Sequence, residues 1–423
     1  MRYKVEIFDY IQHLYETTGY NDHQLHFIIR FKDKVQPSVL KRATELLVEA
    51  VPILSRGCRN DRGLLYWEDG NGQNTDLFTI INNADDFNAF ILSKTDEQNG
   101  PQIKVCLLQA ESDSLAILVS HMVTDGAGMK RCVNLLAEIY SKLLASPDYC
   151  PDYVIDGNRG FKKIISGVRL MDRIKILLFQ RKENNQDSGV VFPMSSGAET
   201  SPFFLTHEIS SRQFSAIKTY CKSNHVTVND VLLTTYFRAL SGILKLNGDK
   251  LSIPFMIDMR KYAAGSCEDA LTNLSSTAIL SAAITPKESF QETLKRISAD
   301  MAEKKSSYLG INTFLKLNVG LLRSKLGYRI LERSLKNPKI GITNIGIIDE
   351  ERLRFEGSTV EHAYIFGSVK YRPYFQMAAS TYKEAMTFCV ALYGDAQDKI
   401  TVSQFFECMD KELISVIPTD SHL

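Results

Sequence analysis

The chain has 423 residues, 44% of them hydrophobic and 23% charged, and its 50 basic and 49 acidic residues leave a formal net charge of +1. That length exceeds one ordinary core and suits two domains of about 200 residues each. The charge balance excludes a general attraction to nucleic acid or to an anionic membrane as the main mode of action.

The opening stretch MRYKVEIFDYIQHLYETTG contains no apolar block of the signal-peptide kind. No window reaches the ~18 uncharged apolar residues of a membrane span. Eight cysteines are scattered without a CxxC pair, so neither a zinc site nor a disulfide framework is expected. The expectation is reduced thiols in a cytoplasmic protein.

Residues 24–33 alternate as a strand, and the spacing of Val39, Leu40, Leu46, Leu47 and Val51 predicts a helix. GLLYWED and LFTIIN read as short strands. IKVCLLQ and LAILVSH are strands joined by the polar turn AESDS, which predicts a hairpin. Met129, Cys132, Val133, Leu136, Ile139 and Tyr140 then form one buried stripe of an amphipathic helix. Residues 145–202 change character. A loop-like stretch precedes a basic amphipathic segment, FKKIISGVRLMDRIKILLFQRK, and a polar linker follows.

The second half mixes elements again. FFLTHEIS is a strand and SRQFSAIKTYCKSN a helix. TVNDVLLTTYFRALSGIL is a second helix, with Thr227 or Asn229 as N-cap. KLSIPFMIDMR and SSTAILSAAI are strands, and SFQETLKRISADMAEKK is a helix. KIGITNIGII, AYIFGSV, FQMAASTY and AMTFCVALYG are strands, and TVSQFFECMDKELISVI closes the chain as a helix. Two halves of like make-up predict a two-lobed α/β or α+β protein. The expected boundaries are an N-terminal lobe over 1–160, a basic helix and linker over 161–200, and a C-terminal lobe over 201–423.

The candidate site lies in LVSHMVTDGAGMK, residues 118–130. A strand ends near His121, and Gly126 and Gly128 disfavour helix, so the segment reads as a strand-to-helix loop. Glycine lets such a loop turn tightly and lets backbone approach a ligand. A histidine there can point into a cleft, and its ordinary pKa near ~6.5 suits it to take a proton at neutral pH. On the local residues alone, a structural histidine closing a strand is the competing reading.

The arrangement resembles the HxxxDG signature of the chloramphenicol-acetyltransferase-like superfamily, which includes condensation domains and alcohol acyltransferases. Further stretches are similar in the same order. They are VLKRATELLVEAVPILSRGCRND, VTVNDVLLTTYFRAL, IPFMIDMRKY followed by LTNLSS, GITNIG, and AMTFCVALYGDAQDKITVSQFFECM. The resemblance implies two lobes, each a mixed sheet flanked by helices, with a channel between them. It implies an acyltransferase that moves an acyl group from a pantetheine thioester, on CoA or a carrier protein, to an alcohol or amine. His121 would be the general base. Asp125 would be a structural aspartate paired with an arginine, Arg56 ahead of Arg260, and Gly126 the loop glycine. Asn344 or Thr343 would polarise the carbonyl oxygen. No metal and no permanently bound cofactor are implied, and two fused lobes make a monomer sufficient.

The chain departs from the condensation-domain pattern HHxxxDG at Ser120, which tilts the donor toward acyl-CoA. The alternative reading is a non-catalytic condensation-like module that binds a carrier protein or partner enzyme. Residues 161–182 carry seven Lys or Arg and one acid, Asp172, and are the best argument for it. The spacing of Met171, Ile174, Leu177 and Leu178 predicts a stripe packed on a lobe or over the channel mouth. The histidines of DHQLH are expected at a surface turn entering a strand rather than on a metal. The tyrosines of YRPYFQMAASTY line an acceptor pocket or pack within a strand.

Overall fold

The computed structural model describes residues 2–69, 77–179, 189–305, 308–317, 325–335 and 337–416. The first half runs β1 (Tyr3–Lys4), α1 (Ile7–Thr17), β2 (Gln24–Phe31), α2 (Pro37–Ala50), β3 (Gly57–Asp61), β4 (Leu64–Glu68) and β5 (Phe78–Ile81). It continues with α3 (Ala84–Ile91), β6 (Ile103–Leu108), β7 (Ser114–Ser120), α4 (Gly126–Ala145), α5 (Lys162–Ser166) and α6 (Leu170–Phe179). The second half runs β8 (Ser201–Ile209), α7 (Ser211–Ser223), α8 (Val228–Ile243), β9 (Lys250–Asp258), β10 (Ser275–Ala283), α9 (Phe290–Lys305) and α10 (Ile311–Leu317). It ends with α11 (Lys325–Ser334), β11 (Ile340–Ile347), β12 (Val360–Phe366), β13 (Phe375–Tyr382), β14 (Ala385–Gly394) and α12 (Ala396–Ile414).

Two mixed sheets organise these elements. One has the order β12-β2-β7-β6-β5 and the other β10-β9-β11-β13-β14-β8. In the first, β6 and β7 form the expected antiparallel hairpin, and β5 joins β6 in parallel. In the second, β11 runs parallel to both β9 and β13. A small sheet, β1-β4-β3, lies apart. Strand β12 belongs to the second half of the chain but pairs antiparallel with β2, so it completes the first half's sheet.

Local chemistry explains the element ends. Thr227, not Asn229, caps α8, in a reciprocal capping box with Asp230. Asp395 and Asp398 make the same box for α12, which therefore starts five residues before the apolar pattern that predicts it. Helix α4 begins at Gly126, earlier than its apolar stripe, because the Asp125 side chain caps it by accepting from Gly128 N–H at 3.1 Å.

Two surface expectations fail. Asp22, His23 and His26 are buried rather than at a surface turn. Among the described residues no group of acids, histidines and cysteines is disposed to hold a metal. On α6, Met171 and Ile174 are exposed instead of packed, and the side chains of Leu177 and Leu178 lie outside those described. The face is left open because α6 meets the body through its other side, where Asp172 accepts from Tyr308 at 3.0 Å. The tyrosines resolve toward packing. Tyr382 is buried, Tyr374 packs edge-on against Tyr20, and Tyr371 meets Lys94 and Glu16. No helix among the described residues is long and apolar enough to cross a membrane.

Candidate active site

Strand β7 is central in its sheet, with an apolar run from Leu115 to Val119 buried on both faces, so it delivers His121 from a rigid base to the seam between the two halves. The His121 backbone N–H donates to His23 O at 2.7 Å. The residue is half-buried, and Nδ1 lies 3.2 Å from Oδ1 of Asn273, a second-half residue just before β10.

The Asn273 amide is oriented by its other contacts. Its Nδ2 donates to Asp9 Oδ1 at 2.9 Å, His121 O at 2.8 Å and Met122 O at 3.2 Å. Its oxygen is therefore the atom facing His121, and an amide oxygen can only accept. Nδ1 must donate, so in the neutral ring Nε2 is the basic nitrogen. Nε2 makes no hydrogen bond to a described residue. Burial holds the ring below the ordinary imidazole value; the Lys370 charge acts in the same sense, while Asp125 and Asn273 oppose it.

Asp125 has no direct contact with the imidazole. Its Oδ2 accepts from Arg260 Nη1 at 2.9 Å and from Leu274 N–H at 2.7 Å. Burial alone would raise this carboxyl, but Arg260 and the two backbone donors hold it below the usual carboxylate value. The structure thus pairs Asp125 with Arg260, correcting the order of the two candidate arginines. Arg56 lies elsewhere, in a bidentate pair with Asp156 at 2.9 and 3.1 Å. Arg56 sits between α2 and β3, whereas Arg260 follows β9, and the docking of the second half brings Arg260 to the loop.

The two glycines are constrained by space. A Cβ on Gly128 would collide with Oγ1 of Thr124, and one on Gly126 would come within 3.2 Å of Ile345 on β11. Lys130, one turn into α4, donates to the carbonyls of Ile345 at 2.9 Å and Ile347 at 3.1 Å. Thr343, next along β11, lines a small pocket with Phe366, Gly367, Ser368 and Gln376. Asn344 is already engaged: Nδ2 donates to Asn229 Oδ1 at 3.3 Å and Oδ1 accepts from Gly346 N–H at 3.0 Å. No hydrogen bond joins either residue to His121. Ser120, where a first histidine would stand, is buried, and its Oγ accepts from Met122 N–H at 3.3 Å.

Sequence reasoning missed the support beneath the loop. Buried Arg159 donates from Nη2 to Asp9 Oδ2 at 2.7 Å and to Met122 O at 3.2 Å, and from Nη1 to Val123 O at 2.8 Å. The stripe Ile7, Tyr10, Ile11 and Leu14 in the opening stretch marks α1, and Asp9 on its buried flank is the signal that was present.

Residues 273–416 match the family model described as the WS/DGAT C-terminal domain. No curated protein matches the chain by sequence. Among solved structures, the chain is similar to the epimerization domain from the third module of tyrocidine synthetase B (TM-score 0.72, 14% identity, 99% of this chain and 96% of that one). It is similar to polyketide synthase associated protein 5 from Mycobacterium tuberculosis (0.70, 13%, 98% and 97%). It is also similar to trichothecene 15-O-acetyltransferase from Fusarium sporotrichioides (0.71, 11%, 99% and 96%). The chain therefore has the two-lobed chloramphenicol-acetyltransferase-like fold of condensation domains, and its residues 273–416 match the WS/DGAT C-terminal domain.

Proposed function

We propose that the chain is an acyltransferase that moves an acyl group from a pantetheine thioester, on CoA or a carrier protein, to an alcohol or amine. The observation that supports this most is the His121 tautomer: Asn273 Oδ1 accepts from Nδ1–H, and Nε2 is left basic, with no hydrogen-bond partner among the described residues, at the seam. Nε2 removes the acceptor's O–H or N–H proton as that oxygen or nitrogen attacks the thioester carbonyl. The tetrahedral oxyanion collapses, the C–S bond breaks, and the Nε2 proton passes to the departing sulfur to give the free thiol. No acyl-enzyme forms. Thr343, on the pocket wall, is better placed than Asn344 to polarise the carbonyl, since the Asn344 amide is already used. Asp125 and Arg260 are positioning residues that hold the loop.

A positioned base contributes roughly 10²–10⁴-fold. The test is free-thiol release from a panel of acyl-CoAs with a mixed alcohol and amine acceptor pool. His121→Ala is expected to lose acceptor-dependent release by that factor while remaining folded. Equal release from both proteins would remove His121 from the reaction. If neither protein releases thiol, the same comparison with acyl carrier proteins decides between a carrier-bound donor and a module that only binds.

A further inference from the structure

A lysine ammonium is seldom buried without a counter-ion, because its lost hydration is not otherwise replaced. Lys370 is only 3% exposed. Among the described residues no carboxylate reaches ion-pair distance of its Nζ, and no hydrogen bond receives its protons. The face of Tyr20 covers one side, with Nζ 4.1 Å from the ring centroid. Asp22 is the carboxylate whose field Lys370 feels. Asp22 accepts at Oδ1 from the backbone N–H groups of Gln24 at 3.2 Å and Val369 at 2.9 Å, while Oδ2 is buried without a hydrogen-bond partner among the described residues. A closed Asp–Lys pair would lower the carboxyl and raise the ammonium. Here burial lifts Asp22 to about 6 and, against the pull of Asp22, brings Lys370 down to about 7.

The backbone places this group beside the base. Lys370 forms a β-bridge with Asn21, and Asp22 N–H donates to Val369 O at 3.1 Å. The next residue, His23, accepts the His121 backbone N–H. The Lys370 charge is felt at the His121 ring, and its near neighbours Gly367 and Ser368 line the pocket that contains Thr343.

We propose that Lys370 receives a carboxylate on the acceptor, so that the protein acylates hydroxy acids or amino acids in preference to neutral alcohols or amines. This rests on the acyl-transfer reading above. One ammonium with Asp22 nearby suits a monoanion; a phosphate dianion would set an uncompensated charge against Asp22.

The test measures thiol release from acyl-CoA with matched acceptors: hydroxy acids against their methyl esters, and amino acids against their amides. The wild type is expected to favour the acid by about tenfold or more in kcat/KM, the scale of a hydrogen bond to a charged group. In Lys370→Met the ratio falls to near unity. A wild type that uses ester and acid equally, or a Lys370→Met that keeps the preference, overturns the inference. Calorimetric binding of the same acceptors without donor gives a second readout. Tighter binding of the acid that is lost in both Lys370→Met and Lys370→Gln supports the site, and equal binding of acid and ester by the wild type overturns it. If acid binding needs Lys370 but no acceptor releases thiol from acyl-CoA or from an acyl carrier protein, the acyl-transfer reading falls and the anion site stands. Circular dichroism of the two variants separates lost recognition from lost fold.

Discussion

Burial and the Lys370 charge together keep His121 below the ordinary imidazole value of 6.5, so the ring is neutral at pH 7. The acidic limb of kcat/KM against pH is therefore expected below 6.5, where His121 becomes protonated and can no longer accept. Removing the neighbouring positive charge makes the imidazolium easier to form. In Lys370→Met the acidic limb should move to higher pH, and a limb that stays in place would uncouple the two groups. His26 offers a stability test. Burial pushes its folded pKa from 6.5 down to about 4. The unfolded chain therefore binds the proton first. The contribution to stability is present above 6.5 and is lost as pH falls through that value toward 4. His26 stacks on Phe366 with ring centroids 4.3 Å apart, so His26→Phe can preserve the stack and should flatten this part of the pH–stability curve. Denaturant unfolding at about pH 7 and about pH 4.5 would measure it.

At the scale of elements, the turn from β7 into α4 depends on a buried ion pair and a glycine. Arg260→Met leaves the Asp125 carboxylate buried with only two backbone donors, which is expected to cost about 3–5 kcal/mol. Adding Asp125→Asn to Arg260→Met should recover much of that loss, because no charge is then stranded; a double variant as unstable as the single one would argue against the pair. Gly128→Ala drives a methyl group into the Thr124 hydroxyl and should cost about 1–3 kcal/mol, read as a lower denaturation midpoint. This turn also marks what sequence can reveal. The apolar run of β7 and the stripe of α4 announce a strand, a loop and a helix, and the HxxxDG spacing identifies His121 and Asp125. The partner arginine is hidden, because nothing in the sequence around Arg56 or Arg260 says which half docks on the loop. Asn273 is visible as a residue but not as the group that sets the histidine tautomer, since that needs the direction of its amide. Helix α1 is missed because its stripe is short and flanked by charges, and Asp9 is missed with it.

At the scale of the whole molecule, β12 binds the two halves into one unit. The run AYIFGSV is legible as a strand, but nothing in it says which sheet receives it; the pairing with β2 depends on the path of the entire second half. A fragment of residues 1–200 lacks β12 and leaves β2 as an unpaired apolar edge. That fragment is expected to aggregate when made alone, and the full chain should unfold in a single calorimetric transition. Two separate transitions would show that the halves are independent. The contacts of α4 with β11 have a different consequence. Ile345 leaves little room for a side chain at Gly126, and Lys130 grips the carbonyls on either side of Gly346, so the helix that starts at the His121 loop is fastened to the opposite half. The spacing of the halves is thus registered at the loop itself. A guest that wedges them apart would pull on the same few residues that aim the proposed base, and under the acyl-transfer proposal the fit of a substrate becomes a mechanical input to the chemistry.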